Sequence, residues 1–264
     1  MPKKCLRRLN KQLESLKADG YCILTDVLDA AEVRATRRAL IDAAVESKRR
    51  GVSTYVQGLD PNEANVRVFN LLDLDPIFRK LILQPQAIAL VQALIGEHFL
   101  ISNFTANIAL PGSESMAIHA DQAIVIPEPW LQPWAINIIW CLDDVYPDNG
   151  ATLYLPGSHQ VARVSELPPD MKTAMVAFEA PAGSMIAMDG RLWHTSGANV
   201  TRDRERALLF GYYTAYFIRP QTNWNASLSA HTLDNLDARL FDFLGLGAAA
   251  NLRQSSVILE PADH

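Results

Sequence analysis

The stretch that decides the fold has the sequence Phe99-Leu-Ile-Ser-Asn-Phe-Thr-Ala-Asn-Ile-Ala-Leu110. Apolar residues dominate it, among them β-branched and aromatic types that favour the pleated backbone of a strand. Similar segments follow at short intervals, separated by Pro, Gly, Asn and Asp; they are residues 123–126, 135–142, 175–178, 184–188 and 207–217. Many short strands joined by such turns are typical of an antiparallel barrel or a double-sheet jelly roll.

Patterns typical of helices lie on both sides of this β-rich region. Leucines recur at helical spacing over residues 6–18, and residues 21–24 then indicate a short buried strand. Asp29 is a candidate N-cap for a helix that runs to about Lys48. Two further helices, over residues 76–97 with a break near Gln84-Pro85, and a C-terminal one over residues 233–246, complete the helical part.

We therefore predict a mainly β fold of the α+β class, with a double-stranded β-helix (jelly-roll, cupin-like) core and helices at both ends. No shift in composition marks a second domain, so the whole chain is expected to form one domain. Its parts are a helical N-terminal part (1–97), a jelly-roll core (98–220) and a C-terminal helical segment (221–250).

Composition and charge narrow the class of protein. The chain has 264 residues, of which 49% are hydrophobic and 20% charged, as in ordinary globular proteins. Three cysteines without paired spacing argue against a disulfide framework and for a reducing, cytoplasmic location. We expect neither a signal peptide nor a membrane span, and a net charge of −5 argues against a nucleic-acid partner. A small-molecule substrate is the expected partner, and a homodimer is compatible with these features.

The central chemical feature is the sequence Ala117-Ile-His119-Ala-Asp121-Gln122. In a strand, side chains two residues apart point to the same face, so His119 and Asp121 can bind one metal ion together. A third ligand is then expected from another segment. The best candidate is His194, which follows the predicted strand 184–188 at a turn.

Two histidines and one carboxylate form a facial triad, which leaves three coordination positions of an iron ion open. A 2-oxoglutarate molecule can occupy two of these positions and O₂ the third. Zinc accepts the same ligand types, and a lone His-x-Asp pair occurs in many proteins that bind no metal there. The surrounding sequence decides between these interpretations.

That sequence resembles the phytanoyl-CoA dioxygenase family of Fe(II)/2-oxoglutarate oxygenases. The matching elements stand in the family's order over about residues 19–246, and their form is similar to that of the branch with natural-product oxygenases. They are Asp19-Gly-Tyr-Cys-Ile-Leu, Leu110-Pro-Gly, His119-Ala-Asp121-Gln, Asn149-Gly-Ala-Thr-Leu-Tyr-Leu-Pro-Gly-Ser-His159, Trp193-His194-Thr-Ser-Gly-Ala-Asn199, Arg206-Ala-Leu-Leu and Arg219-Pro-Gln-Thr-Asn-Trp224.

The resemblance implies a double-stranded β-helix with His119, Asp121 and His194 as iron ligands. It also implies an arginine that pairs with the far carboxylate of 2-oxoglutarate, since a guanidinium can bond both oxygens. Many members carry it eleven residues after the second histidine, where this chain has Glu205. We choose Arg206, which directly precedes an apolar strand, and Arg204 is the alternative on the same strand face.

Four further side chains are candidates for binding 2-oxoglutarate: Ser196, Thr152, Asn137 and Gln122. Each has an alternative as an ordinary polar residue of the barrel. His159 follows a turn outside the family's metal site and is interpreted as structural. The remaining histidines, His98, His231 and His264, lack neighbours of ligand type and are expected at the surface or in packing.

The substrate is expected over the iron, between residues 51–70 (with Tyr55, Gln57, Arg67 and Asn70) and the Trp130–Trp134 segment. We expect hydroxylation, desaturation or rearrangement of a small, fairly apolar metabolite in natural-product biosynthesis. An acyl-CoA or amino-acid-type hydroxylase is the alternative within the family. A halogenase is disfavoured, because halide needs the space that the Asp121 carboxylate takes. A metal-binding jelly-roll protein without oxygenase activity remains the third hypothesis.

Overall fold

The computed structural model describes residues 3–247, and its account of side chains begins at residue 9. The strands are β1 (Tyr21–Leu24), β2 (Asn65–Val68), β3 (Phe99–Ala109), β4 (Ala135–Cys141), β5 (Thr152–Tyr154), β6 (Val176–Ala177), β7 (Met185–Asp189), β8 (His194–Ser196) and β9 (Arg206–Ala215). The helices are α1 (Lys3–Asp19), α2 (Ala30–Arg49), α3 (Leu71–Leu74), α4 (Pro76–Leu81), α5 (Pro85–Ile95), α6 (Trp224–Ser227), α7 (Ala230–Asp234) and α8 (Ala238–Phe243). Among the described helices, none is long and apolar enough to cross a membrane.

The strands form two antiparallel sheets. The larger has six strands in the order β1-β7-β4-β9-β3-β2, and the smaller has three in the order β6-β5-β8. Residues of both sheets, such as Ile139 on β4 and Tyr154 on β5, share one apolar cluster, so the sheets face each other. This arrangement is a double-sheet jelly roll.

The central strands of the larger sheet are buried on both faces. On β4, Ile136, Ile138 and Trp140 belong to the cluster shared with the helices, while Ile139 and Cys141 belong to the cluster between the sheets. Alternate residues of a strand point to opposite faces, so an apolar cover on both sides requires a nearly continuous apolar sequence. The apolar runs of the sequence are therefore central strands.

Local capping places the helices where the sequence predicts them. Asp29 accepts hydrogen bonds from the amides of Ala31 and Glu32, and Glu32 bonds back to the Asp29 amide, which completes a capping box. The break at Gln84-Pro85 is confirmed, because the Gln84 side chain caps α5.

Several predicted boundaries are wrong. The segment 123–126 is no strand: residues 121–124 form a 3₁₀ turn, and a loop follows up to β4. The C-terminal pattern forms the separate helices α7 and α8, because Asn235 ends the first and Asp237 caps the second. Residues 248–250 of the predicted C-terminal segment, and His264, lie outside the described residues.

Gly20 makes the sharp transition from α1 to β1. Its φ is +81°, in the region that favours glycine, and its amide donates to the Leu16 carbonyl at 3.1 Å. A Cβ atom at this position would lie 2.6 Å from the ring of buried His159. The close contact joins α1 to the segment after β5.

We expect Gly20→Ala to lower the free energy of unfolding by about 2–4 kcal/mol, since it adds left-handed backbone strain to a steric clash. Urea denaturation measures the change. Gly51→Ala is the matched control, because Gly51 has a φ of +75° and no atom within 4 Å of an added Cβ. The control should cost only about 1–2 kcal/mol of backbone strain. Equal losses in the two variants would contradict the packing argument.

Burial lowers the pKa of His159 below its ordinary value of 6.5. The unfolded chain therefore takes up a proton near pH 6.5 that the folded chain binds only at lower pH. The stability linked to His159 is complete above pH 6.5 and falls as the pH drops below it, by at most about 1.4 kcal/mol per pH unit. Urea midpoints from pH 8 to pH 5 should show a shallower acid decline for His159→Gln than for the wild type. Parallel curves for the two proteins would refute this.

Candidate metal centre

The main chains of His119 and His194 form an isolated antiparallel bridge. The His119 amide donates to the His194 carbonyl at 2.9 Å, and the His194 amide donates to the His119 carbonyl at 2.8 Å. His194 is the first residue of β8, and His119 lies in the loop between β3 and β4. Because the two residues are directly opposite, their imidazole centroids lie 4.4 Å apart.

Asp121 completes this cluster from the start of the 3₁₀ turn. Its Oδ1 atom lies 3.8 Å from the Nε2 atoms of both His119 and His194. One ligand atom from each of the three residues lies within 4.8 Å of the others. The expectation that the His-x-Asp motif lies on a strand is wrong, because only His119 pairs and the chain then turns.

The turn after Asp121 is closed by Gln122. This side chain is fully buried; its Nε2 donates to the Gln132 carbonyl at 3.1 Å and its Oε1 accepts from the Trp134 amide at 2.7 Å. The Gln122 amide itself donates to the Gly190 carbonyl at 2.7 Å. Because main-chain groups bond both ends of its side chain, Gln122 holds in place the loop that carries Asp121.

Hydrogen bonds to main-chain carbonyls orient both imidazoles. Nδ1 of His119 lies 2.9 Å from the Ala117 carbonyl, and Nδ1 of His194 lies 2.9 Å from the Leu192 carbonyl. A carbonyl only accepts, so each Nδ1 carries the proton and each Nε2 presents its lone pair toward Asp121. Burial lowers the pKa of His194, which favours the neutral ring that a metal requires.

These three side chains fit a divalent metal ion. Metal bonds to imidazole nitrogen and carboxylate oxygen are about 2.0–2.2 Å long, so one ion can bridge the 3.8 Å between Asp121 Oδ1 and either Nε2 atom. Two imidazoles and one carboxylate are the ligand set of the facial triad. The rest of the ion's surface would face the adjoining cavity.

The cavity between the two sheets has a volume of about 150 Å³. The triad lines it together with Asn103, Thr105 and Asn107, which are alternate residues of β3. Polar residues at every second position from 103 to 107 are a sequence signal for this wall, but these residues were not predicted. Further lining residues are Arg67, Met116, Asn137, Ser196, Arg206, Phe210, Tyr212 and Gln221.

Arg206 extends from β9 into this cavity and is almost completely buried. Nη1 donates to the side chain of Asn107 at 3.2 Å, and Nη2 donates to the Gly150 carbonyl. In the described chain no carboxylate lies within ion-pair distance of it, and its Nε has no hydrogen-bond partner. Burial lowers the pKa of Arg206 to about 10, so the group keeps its charge at neutral pH.

The neighbours of Arg206 face away from the cavity. The Arg204 side chain is 74% exposed and lies 4.0 Å from Asp203. Glu205 forms an ion pair with Arg37 of α2, which also bonds Asp143 at 3.0 Å. The position at which the family pattern expects arginine is therefore taken by a residue that ties the turn to a helix.

Of the other four candidate residues for binding 2-oxoglutarate, two line the cavity and two do not. Ser196 and Asn137 line the cavity. Thr152 pairs with Ser196 across β5 and β8, yet Thr152 and Gln122 are not among the described residues that line it. Ser196 Oγ accepts a hydrogen bond from the Met116 amide at 3.1 Å.

Only some of the residues expected around the substrate line the cavity. Arg67 lies on β2 and lines the cavity, but it forms a short ion pair with buried Asp60, at 2.6 Å. Trp130 is buried within its own loop and donates to the Val125 carbonyl, and Trp134 packs edge-on against Phe217. Among the described residues, neither tryptophan lines the cavity.

Residues 16–207 match the family described as Phytanoyl-CoA dioxygenase (PhyH). The protein belongs to this family. Dioxygenase af480 of Aspergillus fumigatus is 47% identical over 231 residues, which are 88% of this chain and 75% of that relative. The predicted family and the predicted class of enzyme, a dioxygenase, are thereby confirmed.

Two proteins with solved structures of similar fold come from nogalamycin biosynthesis. The non-haem alpha ketoglutarate-dependent carbocyclase SnoK from nogalamycin biosynthesis has a TM-score of 0.65 at 22% identity, over 86% of this chain and 90% of that one. The epimerase SnoN, in complex with Fe³⁺, alpha ketoglutarate and nogalamycin RO, has a TM-score of 0.63 at 21% identity, over 82% and 88% of the two chains. The predicted jelly-roll fold of this PhyH-family protein is confirmed.

Proposed function

We propose that this PhyH-family dioxygenase uses Fe(II), 2-oxoglutarate and O₂ to hydroxylate or otherwise oxidise a small, uncharged metabolite in natural-product biosynthesis. Succinate and CO₂ are the accompanying products. His119, Asp121 and His194 would hold the iron. When bound, iron and 2-oxoglutarate would together activate O₂, which is the oxidant, and the protein supplies binding, orientation and exclusion of water.

The observation that carries this proposal is a buried cation in the same cavity as a metal triad. Arg206 is charged, almost completely buried and without a carboxylate partner in the described chain. A buried charge is costly unless it is paired. A dicarboxylate whose one end chelates the metal brings its other carboxylate as that partner, and 2-oxoglutarate has this form.

Ser196 is placed to assist Arg206 in this role. Its hydroxyl oxygen accepts from the Met116 amide, so the hydroxyl proton remains available to donate to a carboxylate. Crystals of SnoN with Fe³⁺ and alpha ketoglutarate are in keeping with such a ligand pair on this fold. The roles of Arg206 and Ser196 are part of the proposal.

A count of charges favours an uncharged substrate. The cavity has two arginines, but Asp60 neutralises Arg67, and one carboxylate of 2-oxoglutarate would neutralise Arg206. In the described lining, no further cation remains for a substrate carboxylate or phosphate. The count therefore favours a neutral metabolite over an acyl-CoA or an amino acid. The amides of Asn103 and Gln221, which bond each other at the rim, suit hydroxyl and carbonyl groups.

The proposed location is the reducing cytosol. The proposed assembly is a homodimer. Among the alternatives, a halogenase remains disfavoured, since the Asp121 carboxylate lies where halide would need space. A metal-binding protein without oxygenase activity would bind Fe(II) but form no succinate, and the following assay distinguishes these two functions.

Anaerobic addition of Fe(II) and 2-oxoglutarate to the protein should produce the visible charge-transfer absorption of a 2-oxo acid chelated to Fe(II). Admission of O₂ should then yield succinate slowly even without substrate. Asp121→Ala, which lacks the carboxylate ligand, should show neither signal. Wild-type protein that binds Fe(II) but gives no absorption band and no succinate would exclude the oxygenase function.

Arg206→Ala should raise the dissociation constant for 2-oxoglutarate by about 30-fold or more, since loss of one partner of a buried charge pair costs about 2–5 kcal/mol. Titration of the charge-transfer band with 2-oxoglutarate measures this constant. Arg204→Ala is the matched control, because it removes an exposed arginine from the same turn, and it should stay within about twofold. If Arg204→Ala has the larger effect, Arg204 is the partner of the cosubstrate.

A further inference from the structure

The two oxygens of the Asp121 carboxylate have different surroundings. Oδ1 faces both histidines, at 3.8 Å from each Nε2. Oδ2 instead accepts a hydrogen bond from Nδ2 of Asn137, at 2.9 Å. One oxygen thus belongs to the metal-binding cluster, while the other is occupied by an amide.

The direction of this hydrogen bond follows from chemistry. An ionised carboxylate only accepts, so the atom of Asn137 that faces it must be the NH₂ group. Asn137 lies in the middle of the larger sheet, where β4 pairs it with Met188 of β7 and Tyr212 of β9. The Tyr212 hydroxyl in turn donates to the Asp121 main-chain carbonyl at 2.8 Å. Side chains from two central strands therefore hold Asp121, one at its carboxylate and the other at its main-chain carbonyl.

The other end of the Asn137 amide has no partner. Its Oδ1 atom is buried and receives no hydrogen bond from any described residue. An unpaired buried carbonyl costs about 1–3 kcal/mol, whereas an apolar side chain at this position would avoid that cost. Its neighbours on the same face of β4, Ala135 and Ile139, are apolar and buried, so packing alone would favour another apolar residue here. The amide is explained by what its NH₂ group does to Asp121.

We propose that Asn137 is a positioning residue that keeps Asp121 bound to the metal through Oδ1 alone. This inference rests on the proposed function. An octahedral ion with three protein ligand atoms has three positions left, for the two atoms of 2-oxoglutarate and for O₂. A second oxygen from Asp121 would take one of these positions. By occupying Oδ2, the Asn137 amide keeps that position open.

The proposal revises the role that the sequence suggested for Asn137, which was direct binding of 2-oxoglutarate. One N–H of the Asn137 NH₂ group already donates to Asp121, and this bond fixes the orientation of the amide. Asn137 thus acts through another residue, and its effect should appear with metal alone.

The test uses Co(II) without 2-oxoglutarate. Isothermal titration of Asn137→Leu and Asn137→Ala should give Co(II) affinities about 10–100-fold weaker than wild type, as for other residues that orient a metal ligand. The visible d–d bands of the bound Co(II) should change in position and intensity, since the carboxylate is then free to bind through both oxygens. A merely structural role would not move these bands in a variant whose thermal unfolding is cooperative.

Thr105→Val is the matched control. It removes a polar group from the same cavity, at a position without a described contact to Asp121. Its Co(II) affinity and spectrum should equal those of the wild type. If both Asn137 variants bind Co(II) with wild-type affinity and spectrum, the inference is wrong while the metal site stands. If the wild type itself binds no Co(II), the proposed function fails, and the inference with it.

Discussion

The two hydrogen bonds between the main chains of His119 and His194 connect the segments that carry the candidate metal ligands. Neighbouring side chains add to this connection: the Thr195 hydroxyl donates to the Met116 carbonyl at 2.7 Å, and Ser196 Oγ accepts from the Met116 amide. A loop of irregular backbone is thereby held against the smaller sheet. Because the main chain sets the direction of each Cβ, this pairing brings the imidazoles together before any metal is bound.

Asp121 depends on the same loop but is secured from the larger sheet. Asn137 holds its carboxylate and Tyr212 holds its carbonyl, while Gln122 closes the turn behind it. The metal centre is thus assembled from both sheets, and its geometry requires that they pack at the observed distance. The apolar cluster between the sheets, which includes Ile139 and Tyr154, provides that packing. The geometry of the site therefore depends on the packing of the core.

The two arginines of the cavity differ in whether they have a carboxylate partner. Arg67 has a buried carboxylate partner in Asp60, and this pair joins β2 to the preceding loop. Arg206 has only neutral partners, Asn107 and the Gly150 carbonyl. A buried charge without a counter-charge lowers stability, and such exceptions in native proteins concentrate at functional sites. The contrast sets Arg206 apart from Arg67 more clearly than sequence position does.

Local sequence patterns predicted the helices and strands correctly where local interactions determine the structure. Asp29 caps the helix it was expected to cap, the helices break near Gln84-Pro85 as expected, and the apolar runs on β3, β4, β7 and β9 are central strands. Prediction failed where a long-range contact overrides local preference. The apolar segment 123–126 is no strand because Gln122 closes the loop onto residues 132 and 134. The short strands β5 and β8 have three residues each, too few for a pattern to emerge.

By itself, the sequence determined the jelly-roll class, the order of its elements and the three candidate metal ligands, because periodicity and family motifs are properties of residue order. It left Arg204 and Arg206 as alternatives on one strand face. The tertiary structure distinguishes them, since β9 begins at Arg206, whose side chain enters the cavity, whereas Arg204 lies exposed in the turn before the strand. The contact between Asn137 and Asp121 likewise joins residues 16 positions apart. Such pairings depend on how sheets and loops close in space, and no local pattern encodes them.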